Sequence, residues 1–312
     1  MITYKWLSGK PTLFKSFTGL EVPEFNQIYD KVHSNYDAYE QKRLDREDRK
    51  RKVGAGHPFK LPLQERLLMF FVYYRLYIIS ALAGVLFGID QSNAVKDIHM
   101  LEPLVNEILP TPKKMHDRVR KLRTMEELKQ MFPELKAFTD ATEQEIPRPK
   151  NKKKRKTHYS GKSKRHTVKT QMTVNSKGLI VHKSLHVSGR MHDFRLFRRS
   201  HPHLPPDVEE EFDSGYEGVK DAFPKLMCRL PFKRKGPGRG KRGEKGEDLS
   251  AEQKAFNRKL ASERVVVEHT NSRVKKFQIW GGEFRNRLRH YDVATDIVSG
   301  IVNFRVLGTL TI

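Results

Sequence analysis

Four acidic side chains carry the most informative chemistry of this chain: Asp140, Asp193, Asp213 and Glu268. Asp140 follows the strand-like run Lys136–Thr139 and leads into Ala141-Thr142-Glu143. Asp213 follows Glu211-Phe212 and precedes Ser214-Gly215-Tyr216. Both read as the end of a strand and the start of a turn. Asp193 ends the segment Gly189-Arg190-Met191-His192-Asp193. It either caps a helix through Phe194, Leu196 and Phe197 or offers its carboxylate to a site. Glu268 sits beside Val265-Val266-Val267, where a carboxylate is costly unless paired or metal-bound. Converging carboxylates suit Mg2+, which takes oxygen ligands and keeps several waters. Two such ions about 4 Å apart hold the attacking and leaving oxygens of an in-line displacement at phosphorus. Taken singly, each acid is more often a cap or a salt-bridge partner; their order and local sequences single them out.

The acids stand in a strongly basic chain. Lys and Arg number 61 against 37 Asp and Glu, a net charge of +24 over 312 residues. Such a chain calls for a partner of opposite sign, and phosphates repay basic groups by releasing counterions. The bland alternative is a structural basic protein of the ribosomal kind. Cys228 is the lone cysteine, so an intrachain disulfide and a cysteine-based zinc site are both excluded, and a reducing cytosolic compartment fits. Met1–Lys10 lacks the pattern of a signal peptide. The most apolar stretches are broken by Arg75 and Asn303, so no membrane span is expected. No phosphate-binding G-x-x-x-x-G-K-[ST] loop is present.

The elements that must position these groups fall into two kinds. The charged run Glu40–Lys52 reads as a solvated helix, broken at Gly54-Ala55-Gly56-His57-Pro58. Leu61, Leu63, Leu67, Leu68 and Phe71 recur at helical spacing. A second helix fits Ile79–Phe87, Gly88-Ile89-Asp90 is a tight turn, and a third helix starts near Ser92. Helix, short glycine turn and helix is the helix-turn-helix pattern. Its second helix would present Gln91, Ser92, Asn93 and Lys96 to the bases of a major groove. A small bundle with no DNA role is the alternative. Residues 106–136 read as helical connectors. Thr167–Val174 and Leu179–Val187 read as a hairpin about Ser176-Lys177-Gly178. Val208–Phe212 is a further strand, and helices are expected over 249–277 and 292–306. This pattern implies an α/β fold behind an all-α N-terminal region. The expected domains are an extension over 1–60, a helix-turn-helix over 61–105, a connector over 106–136 and a catalytic domain over 137–312.

Two basic segments remain. Arg148–Arg165 holds ten Lys or Arg, among them Lys162, Lys164 and Arg165, and reads as a loop tracking DNA phosphates. Lys233–Lys245 is similar and richer in glycine, hence flexible. His182, His186, His192, His201 and His203 lack regular ligand spacing and read as structural or phosphate-contacting.

The segment Phe138–Leu307 resembles the catalytic domain of DDE-superfamily transposases, closest to prokaryotic insertion-sequence enzymes related to the PIF/Harbinger group. The resemblance rests on Thr139-Asp140-Ala141-Thr142-Glu143, Tyr159 to His166, Gly189 to Asp193, and Asp213-Ser214-Gly215-Tyr216-Glu217-Gly218. It continues in Phe256-Asn257-Arg258 and in Glu263-Arg264-Val265-Val266-Val267-Glu268. Residues 61–105 resemble the helix-turn-helix these proteins often carry in front. The resemblance implies an RNase H-like mixed sheet flanked by helices. It implies Asp140, Asp213 and Glu268 as catalytic metal ligands, with Asp193 a fourth. Related enzymes carry Tyr, Arg, Glu and Lys with two, three and six residues between them. Arg264, Glu268 and Lys275 fit that spacing and share a helical face, but Ala261 stands where the Tyr would be. Arg264 and Lys275 would grip phosphates.

The implied function is transposition: Mg2+- or Mn2+-dependent cutting of double-stranded DNA at terminal inverted repeats, then strand transfer into target DNA. A homodimer or larger assembly on DNA is implied by analogy alone, and a cytoplasmic, nucleoid-associated location if the host is prokaryotic. A catalytically silent DNA-binding regulator is the alternative, and a nuclease acting on RNA is a third reading.

Overall fold

The computed structural model describes residues 1–45, 47, 57–234 and 248–310. Much of the expected charged helix up to Lys52, the glycines of the Gly54–Pro58 break and most of Lys233–Lys245 lie outside the described residues. The chain forms two compact units, residues 1–111 with 273–312, and residues 112–272.

The first unit is helical. It opens with α1 (Tyr4–Ser8), α2 (Pro11–Thr18) and α3 (Val22–Leu44). A capping box between Glu21 and Glu24 starts α3, satisfying backbone donors that a helix start leaves free. Next come α4 (Leu63–Leu76), α5 (Ser80–Phe87) and α6 (Gln91–Ile108). Every residue of α4 from Arg66 to Tyr74 is buried, so this helix is enclosed on all sides rather than amphipathic. Its one buried charge, Arg66, pairs with Asp97 at 3.3 Å and lies 3.6 Å over the ring of Phe59. Gly88 caps α5 in the left-handed region at φ 68°, where glycine meets no Cβ penalty. The helix, tight turn and helix expected over 79–92 are all present, and α6 continues through Pro103.

The second unit holds α7 (Pro112–Val119) and α8 (Met125–Met131), then a mixed sheet. Its strands are β1 (Lys136–Glu145), β2 (Tyr159–Ser160), β3 (Arg165–Asn175), β4 (Ile180–Lys183), β5 (Val187–Ser188), β6 (Glu209–Glu211) and β7 (Cys228–Arg229). Their order is β2-β3-β1-β6-β7, with β4 and β5 also on β3. β1 and β3 are antiparallel, Asp140 facing Met172. β1, β6 and β7 run parallel. The flanking helices are α9 (Lys152–His158), α10 (Asp193–Arg199), α11 (Val219–Ala222) and α12 (Ala251–Lys275), whose last three residues fall in the first unit. The first unit is completed by α13 (Gln278–Gly281) and α14 (Tyr291–Leu307).

This is the expected mixed sheet flanked by helices, behind an all-α region. Two details differ from the sequence reading. β1 does not stop before Asp140 but runs five residues further, because Ala141–Glu145 stay paired to β3. Arg148–Arg165 is not wholly a loop: Asn151 caps α9 by accepting from the Lys153 and Lys154 amides. Within the span 137–312, α14 packs on α6, and Asn303 Nδ2 donates to the Pro110 carbonyl at 2.9 Å.

Candidate active site

Asp140 sits at the fifth position of β1, half-buried. Burial raises its carboxyl pKa; Arg264 opposes that rise, while the charges of Asp213 and Asp193 add to it. Asn271 Nδ2 donates to Asp140 Oδ2 at 2.9 Å. A β-strand fixes its side chains more firmly than a loop does, which suits a central ligand.

Asp213 leaves the end of β6 and accepts the Gly215 amide on Oδ1 at 2.8 Å. The turn rests on fully buried Tyr216, packed with Phe197, Phe212 and Val219. The Tyr216 hydroxyl is pushed well up by burial, then by the charges of Asp140, Asp193 and Asp213. One buried phenol therefore feels all three aspartates.

Asp193 is the first residue of α10, with His192 as N-cap. It is thus not the capping residue, although an acid in the first turn still suits the helix dipole. Its Oδ1 pairs with Lys169 Nζ at 2.6 Å. Its Oδ2 is turned elsewhere: a Cβ on Gly215 would lie 3.0 Å from both Asp193 Oδ2 and Asp213 Oδ1. Gly215 therefore leaves open the space flanked by two carboxylates. Gly189 answers a different demand, since a Cβ there would collide with Thr167 at 1.8 Å.

Glu268 lies on α12 and is exposed, contrary to the burial suggested by the valine run. Val267 takes the buried position, while Val265 and Val266 are half-buried. Glu268 falls four residues after Arg264 and three before Asn271, the two α12 side chains that reach Asp140. At that spacing the three share one helical face. Among the described residues, no three of the four acids bring carboxylate oxygens within 4.8 Å of one another.

Beneath the site, Lys136, Glu211, Arg229 and Glu263 tie β1, β6 and β7 to α12. Arg229 Nη1 donates to Glu211 at 3.0 Å and to Glu263 at 2.8 Å, and Lys136 Nζ pairs with Glu263. Burial, then the neighbouring Glu263 carboxyl, pushes Glu211 up to about 7. Glu210 is fully buried, reached by Thr139 Oγ1 at 3.4 Å, and burial pushes it up to about 8.

Lys162 and Lys164 are exposed on the turn between β2 and β3, and Arg165, exposed at the first position of β3, pairs with Glu145 at 3.1 Å. Lys275 is exposed at the last residue of α12. In the helical unit Gln91, Ser92, Asn93 and Lys96 are all exposed at the start of α6, and Gln91 Nε2 donates to Ser80 Oγ at 2.8 Å. Among the described residues, His182, His186, His192, His201 and His203 form no metal-ligating group. Burial pushes His182 down to about 3 and His201 to about 4, so both are neutral.

Sequence reasoning missed Lys169 and Asn271. An alternating strand gives a lysine no marked role, and Asn271 is conspicuous only when its helical spacing from Arg264 is counted.

Oxygen donors from three aspartates, one beside a lysine and another on a backbone amide, form a hard ligand set. Such donors fit a divalent cation of the Mg2+ class.

Residues 139–303 match the family described as DDE superfamily endonuclease, and residues 59–111 match the helix-turn-helix of DDE superfamily endonuclease. The chain is 31% identical over 293 residues to a protein of Microchaete diplosiphon named as the probable transposase for insertion sequence element IS702, covering 94% of each chain. No solved structure matches. No helix among the described residues is long and apolar enough to cross a membrane. The chain belongs to the DDE superfamily of endonucleases, in a family with that insertion-sequence transposase, and carries the superfamily's helix-turn-helix ahead of its nuclease domain.

Proposed function

We propose that this transposase uses Asp140, Asp213 and Glu268 as catalytic metal ligands, with Asp193 as a fourth, to cut DNA at the ends of a mobile element and join them to a target. The observation that carries the proposal is that Asp193 and Asp213 flank Gly215 while their charges, with that of Arg264 of α12, act on Asp140, and all three aspartates act on buried Tyr216. Enzymes of this superfamily generally depend on a divalent metal. Bound there, Mg2+ or Mn2+ would stabilise negative charge at the reacting phosphate and make an attacking water or hydroxyl more acidic.

The side chains have distinct tasks. Lys169 fixes one oxygen of Asp193 and leaves the other beside Asp213. Asn271 orients Asp140. Arg264 balances charge next to Asp140 and, with Lys275, would hold the DNA backbone, for which a planar guanidinium is well shaped. Lys162, Lys164 and Arg165 would follow phosphates along the flanking duplex. Gln91, Ser92, Asn93 and Lys96 would read the terminal repeat from the major groove. In the first step water attacks phosphorus and the 3′ oxygen of the element end leaves. In the second step that 3′ hydroxyl attacks a target phosphate, whose own 3′ oxygen leaves. Bringing two ends together calls for two or more copies of the chain.

The test is cleavage and joining of a terminal-repeat duplex in Mg2+ or Mn2+. Asp140→Asn, Asp213→Asn and Glu268→Gln should each lose at least ~100-fold in rate, on the order of 3 kcal/mol of barrier, while still binding the duplex. Undiminished cutting by Asp140→Asn and Glu268→Gln would falsify the assignment. Binding without cutting by the wild type in any metal would favour a silent regulator.

A further inference from the structure

A second group of ligand-type side chains lies in the helical unit and shares no residue with the acids. His99 and Glu102 are three apart on α6, hence on one face. His290 comes from the short turn Leu288–His290 just before α14. The rings of His99 and His290 are stacked at 4.4 Å between centroids. Glu102 Oε2 lies 3.0 Å from His99 Nδ1 and 3.6 Å from His290 Nδ1. One ligand atom from each residue falls within 4.8 Å of the other two.

We propose that His99, Glu102 and His290 bind a transition-metal cation of the zinc class, through two imidazole nitrogens and one carboxylate oxygen. Ligands about 2.0–2.1 Å from a tetrahedral zinc are about 3.3 Å from one another. The two separations from Glu102 bracket that value. The surroundings are those of a supported ligand set. Glu102 is buried, and its other oxygen accepts the Tyr74 hydroxyl at 2.9 Å. That bond occupies Oε1 and leaves Oε2 facing the histidines. Such outer partners orient metal ligands and strengthen them.

Binding through His290 Nδ1 puts the ring hydrogen on Nε2. In the structure Arg289 Nε donates to that atom at 3.1 Å, so metal binding in this mode would require the exposed Arg289 side chain to turn away. His99 also lines a cavity of about 340 Å³ with Tyr73, Tyr77, Gln91 and Asn286. Imidazole donors select Zn2+, Co2+ or Ni2+ over Mg2+. The bound ion would clamp the middle of α6, whose first two turns carry Gln91–Lys96, to the segment leading into α14.

The test uses the full chain, stripped with a chelator and titrated with Co2+ under excess Mg2+. Magnesium keeps all-oxygen sites filled, so the remaining cobalt reports nitrogen-containing sites by its visible spectrum. One equivalent is expected, with the intense bands of a four-coordinate site, displaced by Zn2+. Glu102→Gln, which removes a charged ligand, should weaken binding at least as much as loss of an outer partner does, about 10-fold or more, and His290→Ala should abolish the spectrum while the wild type alone gains Tm on adding Zn2+. A wild-type chain that takes up no cobalt beyond what Mg2+ displaces overturns the proposal without any variant. So does a spectrum unchanged in a folded His290→Ala chain, whereas loss of DNA cutting in acid variants bears only on the catalytic reading.

Discussion

Asp193 makes its contribution through a division of labour between its two oxygens. Oδ1 is committed to Lys169, and Oδ2 faces Asp213 across the space left by Gly215. Lys169 is 8% exposed, so removing it strands a half-buried carboxylate. Breaking such a pair from one side costs about 3–5 kcal/mol when fully buried, and somewhat less here. Lys169→Met should therefore lower both thermal stability and DNA cutting. The double variant Lys169→Met with Asp193→Asn should recover most of the stability and none of the cutting. Recovery of cutting in the double variant would show that Asp193 has only a structural role. The three aspartates were legible in the sequence because each sits in a distinctive short motif. Lys169 was not, since its importance arises from a residue 24 positions away.

At the scale of elements, the turn after β6 and the start of α10 must approach closely, and Gly215 sets how close. An alanine there puts a methyl 3.0 Å from Asp213 Oδ1, already held by the turn backbone, and 3.0 Å from Asp193 Oδ2, whose carboxylate is anchored through Oδ1 by Lys169. Gly215→Ala should leave the fold and DNA binding intact and reduce cutting at least ~10-fold, about 1.4 kcal/mol of barrier. Wild-type rates from Gly215→Ala would mean that the two aspartates do not share a ligand. The strands here were readable from alternation and turn residues, as Thr167–Val174 illustrates. The end of β1 was not, because an aspartate is normally a strand breaker and pairing with β3 overrode that tendency. Glu268 was misjudged for a related reason. Three adjacent valines suggest burial all round, whereas a helix turns each successive residue by about 100° and buries one in three or four.

For the whole molecule, net charge and helical periodicity announced a DNA partner and a helix-turn-helix. They did not announce that α14 packs against α6, because nothing in a 3.6-residue period names the surface it will cover. The buried carboxyls of the sheet impose a global pH dependence. Glu210 has its pKa raised from 4.5 to about 8 by burial, so between those values the folded chain holds a proton that the unfolded chain has lost. Stability must therefore fall as pH rises through that window and level off above it. Glu210→Gln should flatten the slope, with a gain at alkaline pH of at most a few kcal/mol and little change in acid. An equally steep decline of Tm in Glu210→Gln would place the titrating group elsewhere.

The central claim is that Asp140, Asp193, Asp213 and Glu268 surround the same ion. Iron-directed cutting of the polypeptide tests it most directly: Fe2+ replaces Mg2+, ascorbate and peroxide generate radicals at the bound ion, and the broken peptide bonds are mapped by mass. The expected result is cuts beside residues 140, 193, 213 and 268, all suppressed together by added Mg2+. Cuts confined to the aspartates, with none near residue 268 under any condition, would contradict the account.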